Sequence, residues 1–126
     1  MFDRDGTVAR LKRAGDKIRE KGKSPLSSEQ YDHHKFDVYD QLKAIEDLAQ
    51  SDPSTARLLL SLKVFQLTEL FFDIRQIWTP PPKQRLGIIH DINQDLYDLI
   101  VRYYDQQSLI EQTNIVKSIV AIVFDR

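Results

Sequence analysis

Three consecutive prolines at residues 80–82 set the strongest limit on how this chain can fold. Each proline lacks a backbone donor, fixes its own φ and pushes the residue before it out of the α region. No regular helix runs through such a stretch, although the last proline can open a new one, where a missing N–H costs nothing. Upstream, a long apolar segment ends on the single tryptophan, Trp78; downstream, the chain restarts with Lys83 and Arg85, and His90 follows five residues after Arg85. An aromatic face, two cations and a histidine therefore gather around one rigid corner.

The flanking segments read as helices that hold this corner. Residues 53 to 77 or 78 carry Leu58, Leu59, Leu60, Leu62, Val64, Phe65, Leu67, Leu70, Phe71, Phe72, Ile74 and Ile77, which puts apolar side chains on nearly every side. A helix of that kind is central in a bundle or carries a partner face. Asp52 and Pro53 have the chemistry of its N-cap and first position. Before it, Ser27 with Gln30 forms a capping box, with Leu26 as a staple, opening a helix to about residue 50. That helix places Tyr31, Val38, Leu42, Ile45 and Leu48 at helical spacing. Earlier still, Val8, Leu11 and Ile18 predict a basic helix over residues 7–21, after a polar lead at 1–6.

Beyond the corner, a short helix is expected over 82–90. Asn93 then caps a helix over 94–105 carrying Leu96, Leu99, Ile100 and Tyr103. Ser108 with Glu111 opens a last helix bearing Ile115, Val116, Ile119, Val120 and Val123. That stretch is β-branched, so a strand over 115–124 is the alternative. The sum is an all-α, four- to five-helix up-and-down bundle forming one domain over residues 1–126.

Composition narrows the class. With 41 % apolar residues the chain can bury one core, and with no cysteine it can form neither disulfides nor thiolate metal sites. No apolar run approaches the roughly 18–20 residues of a membrane span. Charged Asp3, Arg4 and Asp5 stand where a signal peptide would be apolar, so a cytoplasmic protein with no membrane role is expected. A net charge of −1 gives no case for nucleic-acid binding, although seven Lys or Arg between Arg10 and Lys23 face only Asp16 and Glu20.

Several constellations could carry chemistry. Trp78 offers a flat face, and Lys83 and Arg85 offer anion contacts, which makes these three the candidate substrate-binding residues. The same residues are equally consistent with a core anchor beside solvated cations. His33, His34, Asp37 and Asp40 share a helix, but His33 and Asp37 one turn apart supply two metal ligands at most, so no metal site is expected. Arg85 could hold a phosphate while His90 acts as acid or base, an alternative catalytic pair. Asp3 and Asp5 have the Asp-x-Asp spacing of magnesium-binding carboxylates. No Gly-Ser turn precedes them and no apolar strand carries them, so they are rejected as an active site.

Two stretches resemble a known family. Residues 2–11, Phe-Asp-Arg-Asp-Gly-Thr-Val-Ala-Arg-Leu, resemble the segment that leaves the catalytic core of nucleotidyltransferase-superfamily proteins. Residues 70–83, Leu-Phe-Phe-Asp-Ile-Arg-Gln-Ile-Trp-Thr-Pro-Pro-Pro-Lys, resemble the later part of their helical accessory domain, where a helix ends in an aromatic, a proline turn follows and a lysine comes next. Asn93-Gln94-Asp95-Leu96 is similar to a helix start that recurs in that domain. The resemblance implies the substrate-binding bundle beside a nucleotidyltransferase core, as in kanamycin-type antibiotic nucleotidyltransferases. Trp78 and Lys83 would then match the corner, with Lys83 facing the nucleotide cleft. Such a chain holds no cofactor and is not catalytic alone: nucleotide and magnesium enter only through a partner catalytic domain or subunit. Arg85, four residues and His90 also resemble the motif of HEPN ribonucleases, which implies a dimer with both residues lining a groove. A third reading is a non-enzymatic helical module that buries a face of the 53–78 helix in a homodimer.

Overall fold

A computed structural model describes residues 24–125. The basic helix expected over 7–21, Asp3, Asp5 and the resemblance over 2–11 lie outside the described residues. The described residues form five helices, α1 (Ser28–Ser51), α2 (Pro53–Ile74), α3 (Pro82–Ile92), α4 (Gln94–Asp105) and α5 (Leu109–Val123), and no strand. The β-branched stretch from Ile115 is helical because Ile115, Val116, Ile119, Val120 and Val123 all find places in one buried cluster. Tertiary packing overrides the local preference there.

Contacts between helices fix their directions. Arg57 bonds Gln112 and Arg75 bonds the Val123 carbonyl, so α2 and α5 run the same way. Tyr31 bonds the Phe124 carbonyl and Glu46 pairs with Lys117 at 2.8 Å, so α1 runs against α5. A three-residue link joins α4 to α5, which places α4 antiparallel to it. The result is the expected all-α bundle, with α2 between α1 and α5 and with α3 as a short helix packed on α4. No helix among the described residues is long and apolar enough to cross a membrane.

Two single residues each end one helix and begin the next. Asp52 donates its N–H to the Leu48 carbonyl and accepts from the Thr55 N–H at 3.1 Å and the Thr55 hydroxyl at 2.6 Å. These two bonds hold its carboxyl below the ordinary value. Asn93 does the same between α3 and α4, donating to Ile89 and accepting from Leu96 at 2.9 Å. Ser27 and Gln30 make the full capping box at the start of α1, and Ser108 accepts from the Glu111 N–H at the start of α5. With the first polar groups of α1, α2, α4 and α5 satisfied in this way, the bundle needs only one-residue or three-residue links at these points.

The core follows the spacing of α2. Leu60, Val64, Leu67 and Phe71 recur at steps of four, three and four and are fully buried. Val38, Leu42 and Ile45 of α1 close on them from one side, and Val116, Ile119, Val120 and Val123 of α5 from the other. Leu96, Ile100 and Tyr103 of α4 complete the cluster, and Tyr103 reaches Ser61 with its hydroxyl at 3.2 Å.

α2 ends at Ile74, three or four residues before the expected stop, and the prolines are not what stops it. Gln76 has φ of 60°, its N–H bonds the Asp73 carbonyl, and the Ile77 N–H bonds the Phe72 carbonyl. This is a Schellman turn, with glutamine at the left-handed position that glycine usually fills. Ile77 is thereby turned back onto the core. A side chain with a Cβ is disfavoured in this conformation. Gln76→Gly is therefore expected to raise unfolding free energy by roughly 0.5–1 kcal/mol, read from denaturant midpoints at unchanged slope.

Candidate functional site

The corner between α2 and α3 is built by the Schellman turn, the three prolines and one arginine. Arg85, on the first turn of α3, points inward and is buried. Its Nε and Nη2 both donate to the Pro80 carbonyl, at 3.1 and 2.9 Å, and its Nη1 donates to the Thr68 hydroxyl at 3.1 Å. Thr68 in turn donates to the Phe65 carbonyl at 2.6 Å, and the guanidinium lies 4.9 Å from the centre of the Phe65 ring. A forked side chain can bridge a turn in this way where a lysine cannot. Arg85 thus fastens the proline segment to α2.

The guanidinium of Arg85, expected to meet an anion, is here engaged within the chain itself. Its donors face a carbonyl and a hydroxyl of its own chain. The five-residue spacing also turns His90 about 140° away around α3, out toward solvent. His90 is about half exposed, with Nδ1 3.6 Å from Asp91 and its ring edge-on to Tyr97 at 4.6 Å. Arg85 and His90 do not converge on a common acceptor. Polar side chains read as surface groups in a sequence, and nothing in the spacing signals an arginine turned in to hold a proline carbonyl.

The other two corner residues are outward. Trp78 is 53 % exposed, so it is no core anchor, and Lys83 is exposed at the start of α3. The first turn of α3 has Pro82 at its opening, no acidic side chain, and no side-chain cap on its amide end. The positive end of a helix dipole and a lysine therefore stand together at the start of α3, and the exposed Trp78 precedes that lysine by five residues.

Sequence reasoning missed a second buried cation. Lys63 of α2 is buried against α1, where its ammonium donates to the side-chain carbonyl oxygens of Gln41 and of Gln66, the latter at 2.8 Å. Burial pushes its pKa below 10.5, and the nearby charge of Asp37 partly offsets that. Lys63 sits at a core-facing position of an apolar run, which is the one signal that could have found it.

His33 and Asp37 are 3.1 Å apart on the exposed face of α1. No group of three or more metal-ligating side chains occurs among the described residues. An open concavity of about 470 Å³ lies away from the corner, between the end of α1 and the start of α5, among Glu46, Gln50, Leu109 and Thr113. Compared with known proteins, the chain matches no family model, no curated protein and no solved structure.

Proposed function

We propose that this chain is a helical accessory domain of a nucleotidyltransferase, joined to a catalytic domain or acting beside a separate catalytic subunit. It works by positioning rather than by bond-making. The observation that carries this reading is the exposure of both corner residues: Trp78 ahead of the prolines, and Lys83 at the amide end of α3, which has no side-chain cap. Lys83 meets an anionic group, such as a triphosphate or a phosphorylated acceptor, and Trp78 covers its apolar part. Arg85 serves the site from behind by fixing the backbone that presents both residues. A ribonuclease centre on Arg85 and His90 would need the guanidinium in solvent, and the bonds to Pro80 and Thr68 weigh against it.

Inorganic tripolyphosphate is the simplest probe, because it carries the anion without a base or sugar. Lys83→Ala is expected to weaken its binding by roughly threefold to tenfold, as suits a single exposed charge at a helix end. The thermal midpoint should stay unchanged, since Lys83 contributes nothing to the core. Unchanged affinity in that variant sinks the assignment. An independent check is the coding sequence just upstream of the Met1 codon and in neighbouring frames. A Gly-Ser turn followed by an Asp-x-Asp pair is the expected finding there.

A further inference from the structure

The outer side of α2 carries large apolar groups that the other four helices leave largely open, with only Phe65 meeting one of them, through the Arg85 guanidinium of α3. Leu58 is 62 % exposed, Leu62 52 % and Phe65 43 %, and they follow one another at steps of four and three, on one stripe of the helix. Leu59 flanks them. Three neighbouring large side chains on one stripe form a contiguous patch of the kind that marks an interface, unlike scattered exposed leucines. The charges on α2 restrict what fits. Its two cations are turned away, Arg57 to Gln107 and Gln112 and Lys63 to Gln41 and Gln66; Arg75, just past its end, turns to α5, and Arg85 of α3 lies against Phe65 with its donors bonded to Pro80 and Thr68. Glu69 follows Phe65 by one turn and lies at the C-terminal end of the stripe.

We propose that this stripe pairs with the same stripe of a second copy of the chain, the two α2 helices lying antiparallel. A two-fold axis beside Leu62 sets Leu58 of one copy against Phe65 of the other, so aliphatic meets aromatic twice. The same operation carries Glu69 of each copy to the first turn of the other α2, around Ser54. That turn has no acidic side chain within the helix, and its dipole favours a negative charge. Asp52, which caps that end, lies about 120° round the helix from Leu58 and off the stripe. A parallel pairing would instead set Glu69 against Glu69, like charge against like. Trp78 and Lys83 are not part of the stripe, which meets the corner only where Arg85 lies against Phe65, so Leu62 tests the dimer without touching the anion-binding residues.

The test is the solution mass of the 126-residue chain across a concentration series by analytical ultracentrifugation. The expected result is twice 14.7 kDa, with Leu62→Glu weakening the dimer on the order of 100-fold while helical circular dichroism and tripolyphosphate binding stay as in the wild type. Leu62 is exposed, so the change does not disturb the core. A wild-type monomer throughout the series, or a Leu62→Glu dimer of undiminished affinity, overturns the proposal. The chain has no native cysteine, so orientation can be read separately. Oxidation should crosslink Leu62→Cys, close to the axis, and should not crosslink Glu69→Cys. Crosslinking of both overturns the antiparallel arrangement.

Discussion

Replacing Arg75 by alanine is expected to lower unfolding free energy by about 3 kcal/mol, the largest effect of any single side chain outside the apolar core. Arg75 stands at the end of α2, yet its guanidinium serves α5. Nη2 donates to the carbonyls of Ile122 and Asp125, each at 3.0 Å, and Nη1 to that of Val123 at 3.1 Å. A longer bond at 3.4 Å ties it to the Phe71 carbonyl, and its carbon lies 4.0 Å from the centre of the Phe71 ring. The last carbonyls of a helix have no partner within it, and they carry the negative end of its dipole. One planar cation reaches two of them, on Ile122 and Val123, together with the Asp125 carbonyl just beyond the helix. Burial lowers the pKa of Arg75, with the nearby charge of Asp125 acting the other way. In a domain of 126 residues, 3 kcal/mol corresponds to roughly 11 °C in the thermal midpoint. Arg75→Lys should fall between wild type and Arg75→Ala, because an ammonium keeps the charge but cannot reach several carbonyls as a fork does. Since the acceptors are neutral and the group is half-buried, added salt should leave the difference between wild type and Arg75→Ala nearly unchanged. A loss below about 0.5 kcal/mol in Arg75→Ala would show that water caps α5 equally well.

Arg85→Ala should cost about 2–3 kcal/mol, and it should also move the corner. The variant strips the Pro80 carbonyl of two donors and leaves the Thr68 hydroxyl without one of its bonds. Trp78 is the single tryptophan and lies two residues before Pro80, so its emission reports on the corner directly. The expected outcome is a lowered thermal midpoint together with a shifted emission maximum in the folded state. His90→Ala, at a half-exposed position, should change stability by no more than about 0.5 kcal/mol. If Arg85 instead met an external anion, its loss would weaken binding and leave both midpoint and emission alone. The pair of variants therefore separates a residue that shapes the site from one that touches a ligand.

What the sequence made legible was local. Ser27 with Gln30, Asp52 with Pro53, Asn93 and Ser108 each place a helix start, because a cap needs one side chain within three residues of the amide it serves. The apolar character of α2 and its central place were legible as well, but not which of its stripes is buried. An apolar residue at a helical step reads alike whether it meets the core or, as Leu62 does, solvent. The end of α2 was misread because its left-handed residue is Gln76 rather than glycine, leaving no mark in the sequence. At the corner, the sequence left Trp78 open between a stacking face and a core anchor, and its 53 % exposure is a property of the folded turn that the sequence does not record. The inward turn of Arg85 depends on Thr68, seventeen residues away, and on the path of the prolines, which no local pattern records.

The end of α5 also bears on the order in which the molecule assembles. Tyr31 from α1 reaches the Phe124 carbonyl across 93 residues, and Arg75 reaches α5 across 47 to 50. The α1–α2 pair, by contrast, turns on the single residue Asp52 and closes a loop of almost no length. Short loops close at smaller entropic cost, so that hairpin forms early and the anchoring of α5 comes late. Contacts made after the transition state govern how fast a protein comes apart rather than how fast it forms. Arg75→Ala should accordingly leave the refolding arm of a chevron plot almost in place and raise the unfolding arm, making Arg75 a determinant of the lifetime of the folded chain.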